Sequence, residues 1–159
     1  MKSLIQGLDH IYLSVKDFDE SEAFYDQVME ALGLHKGDKP IGGEPHAHYI
    51  APTFQLTIRP ARSNVDHDPY APGLHHLCFQ APSNEAVDEC HQILIDMGIS
   101  ASEPARYPEY NPEYYAIFFD DPNGIRLEIV ARTSYRQDIQ TKWDQLDGFL
   151  NPLQSLQQD

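Results

Sequence analysis

Two stretches of this chain share one pattern: Leu8-Asp9-His10-Ile11-Tyr12-Leu13-Ser14-Val15 and Leu74-His75-His76-Leu77-Cys78-Phe79-Gln80-Ala81. Each is a strand-like run with histidine in its third place, and each leads into an acidic amphipathic helix pattern closing on Leu-Gly-Leu or Met-Gly-Ile. An internal repeat constrains a fold more than local propensity does, because each unit buries its apolar face against a neighbour of the same kind. The repeat also sets His10 and His76 at equivalent points of two similar units.

The first unit, about residues 6–60, opens with a period-2 strand: Ile11, Leu13 and Val15 on one face, His10, Tyr12 and Ser14 on the other. Asp17 or Asp19 caps the next helix, with Glu20 or Glu22 three residues on as in a capping box. Phe24, Val28 and Leu32 recur at helical spacing and Gly33 stops the helix. A Gly/Pro/Lys-rich loop at 36–45 precedes strands expected near 46–51 and 53–59. In the latter, Phe54, Leu56 and Ile58 alternate with Thr53, Gln55, Thr57 and Arg59. Residues 60–72, with three prolines, read as the linker.

The second unit, about 73–131, repeats the order. Ser83 or Asn84 caps a helix carrying Val87, Cys90, Leu94 and Met97, closed by Gly98. Residues 99–113 are Pro- and Tyr-rich and read as an irregular strand and loop. A strand follows at Tyr114–Asp120, then the turn Asp121-Pro122-Asn123-Gly124 and a last strand at 125–131. Residues 1–132 thus form one α+β domain of two tandem βαβββ modules, expected to make a cup-shaped mixed sheet. Residues 133–159 form a C-terminal helical extension, whose Tyr135, Ile139, Trp143 and Leu146 recur at helical spacing up to Gly148. That stripe is expected to pack on the domain or on a second subunit.

The chain's 159 residues match the length of one domain, and 41% hydrophobic residues suffice for a core. A net charge of −14, from 25 acidic residues against 11 Lys and Arg, repels phosphate backbones, so no nucleic-acid partner is expected. Two cysteines, Cys78 and Cys90, make no disulfide framework and fit a reducing cytoplasm. The N-terminus lacks an apolar signal region and no run approaches membrane-spanning length, so a cytoplasmic protein without membrane contact is expected.

Each module keeps its polar exceptions on the face turned from its helix. In the opening strands these are His10 and His76; in the closing strands, Phe54-Gln55-Leu56 matches Leu127-Glu128-Ile129. Two units related by a pseudo-twofold would bring His10, His76, Gln55 and Glu128 together on the floor of a cup. Two imidazoles, a carboxylate and an amide oxygen form an N/O set suited to a divalent metal. The other histidines, His35, His46, His48, His67, His75 and His91, are scattered and read mostly as surface residues.

These residues, with Asp121-Pro122-Asn123-Gly124 leading into Leu127-Glu128, resemble the vicinal oxygen chelate superfamily over about residues 6–131. That group includes glyoxalase I, bleomycin-resistance proteins, fosfomycin-resistance thiol transferases and extradiol dioxygenases. The resemblance implies metal ligands at His10, His76 and Glu128, with Gln55 in the fourth place, where bacterial glyoxalases usually carry glutamate. It implies one divalent ion, zinc or nickel first, iron or manganese next, and a glyoxalase-type lyase or isomerase working through an enediolate with Glu128 as base. An extradiol dioxygenase using iron, and a non-catalytic small-molecule binding or resistance protein, stand as alternatives. The substrate is expected to be small and anionic. Arg59 and Arg126 lie on the site-facing side by alternation, and Tyr12, Tyr115 and Phe119 are candidate lining residues. A homodimer is the expected assembly.

Overall fold

The duplication in sequence becomes a duplication of sheets. In the computed structural model, which describes residues 3–146 and 148–153, the first module runs β1 (His10–Val15), α1 (Phe18–Ala31), β2 (His35–Gly37), β3 (Ala47–Ile50) and β4 (Gln55–Pro60). The second runs β5 (His76–Ala81), α2 (Asn84–Asp96), β6 (Ala105–Arg106), β7 (Tyr115–Asp120) and β8 (Arg126–Ala131). Each module closes a four-stranded mixed sheet of its own, ordered β1-β4-β3-β2 and β5-β8-β7-β6. The opening and closing strands of each module pair in parallel, and the rest pair antiparallel. β1 and β5 therefore stand at sheet edges.

Local chemistry sets the elements. The Asp17 carboxylate accepts from the Glu20 amide at 3.0 Å to cap α1, and Ser83 accepts from the Ala86 amide at 3.3 Å to cap α2. Gly33 and Gly98 take φ of +83° and +75°, the left-handed stops at which side chains would be strained. The apolar faces of both sheets meet the helices in one shared core, including Leu13, Val28, Leu56, Ile58, Leu94, Ile117, Leu127 and Ile129. A polar clamp joins the modules inside that core. Tyr25 donates to Asp121 at 3.0 Å, Asn123 donates to Ser21 at 3.0 Å, and the Lys16 amide donates to the Asn123 side chain at 2.8 Å. The expected Asp-Pro-Asn-Gly turn is thus also an inter-module tie.

The extension departs from its sequence pattern. Helix α3 (Thr133–Lys142) passes into a 3-10 turn at Trp143–Gln145, ending before Gly148. No residue of α3 is buried, and Trp143 is 45% exposed, because the stripe meets little of this chain's own surface. No helix among the described residues is long and apolar enough to cross a membrane.

Candidate functional site

Strand register decides which side chains meet. In the second module Cys78 lies beside Glu128 and Phe118 beside Glu128 on its other flank, while His76 lies beside Arg126. Neighbours in register share a sheet face, so His76, Cys78, Arg126, Glu128 and Phe118 all point away from α2. His76 Nε2 sits 3.4 Å from Glu128 Oε2, and the Glu128 side chain is 2% exposed. The Tyr114 hydroxyl donates to Glu128 Oε1. Burial, then this bond to the carboxylate, holds the Tyr114 phenol well above its ordinary pKa, so it remains a donor. The Cys78 thiol is pushed up to about 12, first by burial and then by the charge of Glu128, which keeps it protonated at neutral pH. His75, His76, Tyr107, Tyr110, Tyr114, Phe118, Arg126, Glu128 and Arg132 enclose a cavity of about 480 Å³.

The first module carries the corresponding face with different chemistry. His10 lies beside Gln55, Tyr12 beside Thr57, and His48 beside Thr57 on the far flank. His48 Nε2 faces the Lys39 carbonyl at 3.1 Å, so that nitrogen carries the proton and Nδ1 is the acceptor. The Gln55 amide nitrogen donates to Thr57 Oγ1 at 2.9 Å and reaches His48 Nδ1 at 3.3 Å. His46 is only 6% exposed and donates from Nδ1 to the Glu44 carbonyl at 2.9 Å.

Both histidines of the repeat are set up alike. His10 Nδ1 donates to the Asp9 carboxylate at 2.7 Å, which leaves Nε2 as the free lone pair. His76 Nδ1 shares a proton with His75 Nδ1 at 2.7 Å; with that proton on His76, its Nε2 keeps the lone pair and lies 3.4 Å from Glu128 Oε2. A residue that fixes Nδ1 while Nε2 faces outward is the arrangement that orients a histidine toward a metal. The donor set on these faces therefore fits a divalent ion.

Several expectations change. His10 does not join His76 and Glu128 within one chain: among the described residues no group of three or more His, Cys, Asp or Glu is placed to hold a metal. The two faces belong to separate sheets. Register also displaces Gln55. His10 pairs with Gln55 whereas His76 pairs with Arg126, so the first-module counterpart of Glu128 is Thr57, two residues further along. Tyr115 and Phe119 face the helix instead of the site. Tyr115 donates to Asp88 of α2 at 2.7 Å and Phe119 is buried in the main core, because alternation puts Tyr114 and Phe118 on the Glu128 side. Arg59 shares the face of Gln55, but its guanidinium is paired with Glu44. Tyr12 stays on that face, edge-on to His10 and His46. His46 and His48 are structural members of the face, not surface residues.

Tyr107, Tyr110, Tyr114, Phe118 and Arg132 escaped the sequence reading. Four tyrosines between 107 and 115, and arginines at 126 and 132 in phase with Glu128, were the available signals.

Residues 7–129 match the family model described as Glyoxalase/Bleomycin resistance protein/Dioxygenase superfamily. The chain belongs to this superfamily. It is 30% identical to YqjT of Bacillus subtilis over 128 residues, which cover 78% of this chain and 98% of that protein. It is 26% identical over 125 residues to the metallothiol transferase FosB of Bacillus licheniformis, covering 79% of this chain and 75% of FosB. A FosX variant from Listeria monocytogenes, solved with Mn(II) and a dihydroxypropylphosphonic acid, superposes with a TM-score of 0.63 at 22% identity. That match covers 84% of this chain and 98% of FosX, and at this identity it shows the shared fold.

Proposed function

We propose that this superfamily member is a divalent-metal-dependent enzyme acting on a small anionic substrate with two neighbouring oxygens. In this reading His76 and Glu128 of one copy and His10 of a second copy hold the ion. The observation that carries it is the approach of His76 Nε2 to Glu128 Oε2 at 3.4 Å, beside unpaired sheet edges at β1 and β5. A homodimer that sets β1 of one copy against β5 of the other completes the ligand set. When bound, the ion supplies Lewis acidity toward the paired substrate oxygens. Tyr114 holds Glu128 Oε1 and so orients the carboxylate, while Arg126 and Arg132 supply positive charge at the cavity wall. Zinc, nickel, iron and manganese all accept two imidazoles and a carboxylate. The manganese in the FosX complex supports a hard or borderline divalent ion.

Thr57, at the first-module place equivalent to Glu128, gives this reading a site with a single carboxylate. That arrangement favours transfer of a nucleophile to a bound substrate, as the resemblance to FosB suggests, over an isomerase that needs a second carboxylate to shuttle protons. Glyoxalase-type isomerisation is the second reading, with Glu128 as its one base.

The test mixes two inactive proteins. His10→Ala and His76→Ala homodimers each lack a ligand in every site. If sites form between copies, remixed dimers recover roughly a quarter of the sites, read as bound metal per chain. Failure of the wild type to bind stoichiometric metal, or no recovery on remixing, refutes the proposal. Turnover of an electrophile plus thiol, against a hemithioacetal or a catechol with oxygen, then separates transfer, isomerisation and ring opening.

A further inference from the structure

The wall of the second-module cavity is more specific than a metal site requires. Tyr107 meets Phe118 edge-on at 5.4 Å between ring centroids and Tyr114 at 6.4 Å, and Tyr110 meets Tyr114 at 5.2 Å. Tyr107 and Tyr110 are stacked at 6.3 Å. Two guanidiniums lie against this cluster: Arg132 at 5.3 Å from the Tyr114 ring centre and Arg126 at 5.9 Å from that of Phe118.

Among the described residues Arg126 and Arg132 stand with Lys39, Arg106, Arg136 and Lys142 as cations that no carboxylate pairs, and these two lie on the cavity wall. Lys16, Lys36, Arg59 and Arg62 are each paired with carboxylates, of which the chain has 25 against 11 Lys and Arg. Among the described residues neither Arg126 nor Arg132 has a carboxylate partner. Their forked donors remain available to an anion. A cationic guest is disfavoured, because the arginines already occupy the ring faces that would attract it. The volume also matters. About 480 Å³ lies in the range of pockets that take ring-sized ligands, and a two- or three-carbon acid would leave much of it to water.

We propose that this cavity selects a flat aromatic acid: the aromatic body packs against Tyr107, Tyr110, Tyr114 and Phe118, and the acid group pairs with Arg126 or Arg132. This rests on the metal-enzyme reading only for placing the reacting oxygens near His76 and Glu128.

The test uses three probes by calorimetry on metal-free and zinc-loaded protein. Benzoylformate has ring, charge and vicinal oxygens; glyoxylate lacks the ring; 2-hydroxyacetophenone lacks the charge. Benzoylformate is expected to bind at least about tenfold tighter than either partial probe, with affinity falling as salt rises. Arg126→Gln and Arg132→Gln are expected to remove the preference for charge. Tyr110→Leu, at a residue 64% exposed and safe to replace, is expected to reduce the preference for the ring, with zinc affinity unchanged. Equal binding of the three probes, or insensitivity to all three substitutions, overturns the proposal. If no metal binds but the benzoylformate preference persists, the metal reading fails and this one stands.

Discussion

Three buried phenols make this fold sensitive to alkali in a way that can be dissected. Tyr25 donates to Asp121 at 3.0 Å, Tyr49 to Asp26 at 2.9 Å, and Tyr114 to Glu128. In each, burial is the largest cause of a raised pKa and the neighbouring carboxylate adds to it. A group whose folded pKa is raised contributes stability that is complete below its unfolded pKa, about 10 for tyrosine, and is lost as pH climbs toward the folded value. One unit above the unfolded pKa, each phenol costs at most about 1.4 kcal/mol, so the three together cost about 4 kcal/mol at pH 11. That is a large share of a domain's typical ~5–15 kcal/mol. Cys90, half-buried and also raised by burial, adds a loss that begins at lower pH.

Urea unfolding at pH 9 and pH 11 measures the total, and Tyr25→Phe, Tyr49→Phe and Tyr114→Phe assign it. Each variant should lose about 1 kcal/mol less than wild type between the two pH values. Tyr114→Phe should also be destabilised at pH 7 by about 1.5–3 kcal/mol, because it removes a hydrogen bond to a charged carboxylate. Phenolate absorbance supplies an independent check, since these three rings should ionise only on unfolding. Ionisation of every tyrosine near pH 10 in the folded protein, or equal alkaline losses in wild type and all three variants, would refute the reasoning.

Gln55→Ala should leave metal affinity within about threefold of wild type, since register gives its place to Thr57; a loss above about tenfold in chelator competition would make Gln55 a ligand. Glu128→Gln should lower metal affinity by more than about tenfold, and retained affinity would remove this carboxylate from the site. Asp121→Ala should cost about 2–4 kcal/mol in urea unfolding, because the carboxylate accepts from Tyr25, Asn123 and the Ile125 amide; a loss under about 0.5 kcal/mol would mean that the inter-module tie adds little. Gly98→Ala should cost about 1 kcal/mol, or roughly 2–4 °C in Tm, from strain at φ +75°.

The amino-acid sequence by itself determined the two-module architecture, because period-2 and period-3.6 patterns, caps and glycine stops are local signals that recur in both halves. It also set His10 and His76 at matching points of β1 and β5. It misplaced what depends on pairing. Phe54-Gln55-Leu56 looks like Leu127-Glu128-Ile129 in composition, yet hydrogen-bond register makes Thr57 the first-module equivalent of Glu128, and a parallel register has no local sequence marker. Tyr115 and Phe119 are candidate lining residues by type alone, whereas the pairing of β7 with β8 puts Phe118 beside Glu128 and Phe119 in the core. Only the tertiary structure decided that each module closes its own sheet and leaves β1 and β5 at edges, and that among the described residues no group of three candidate ligands comes together within one chain. The reason is physical: side-chain periodicity records which face of a strand is buried, but not which strand, in which register or from which copy, lies beside it.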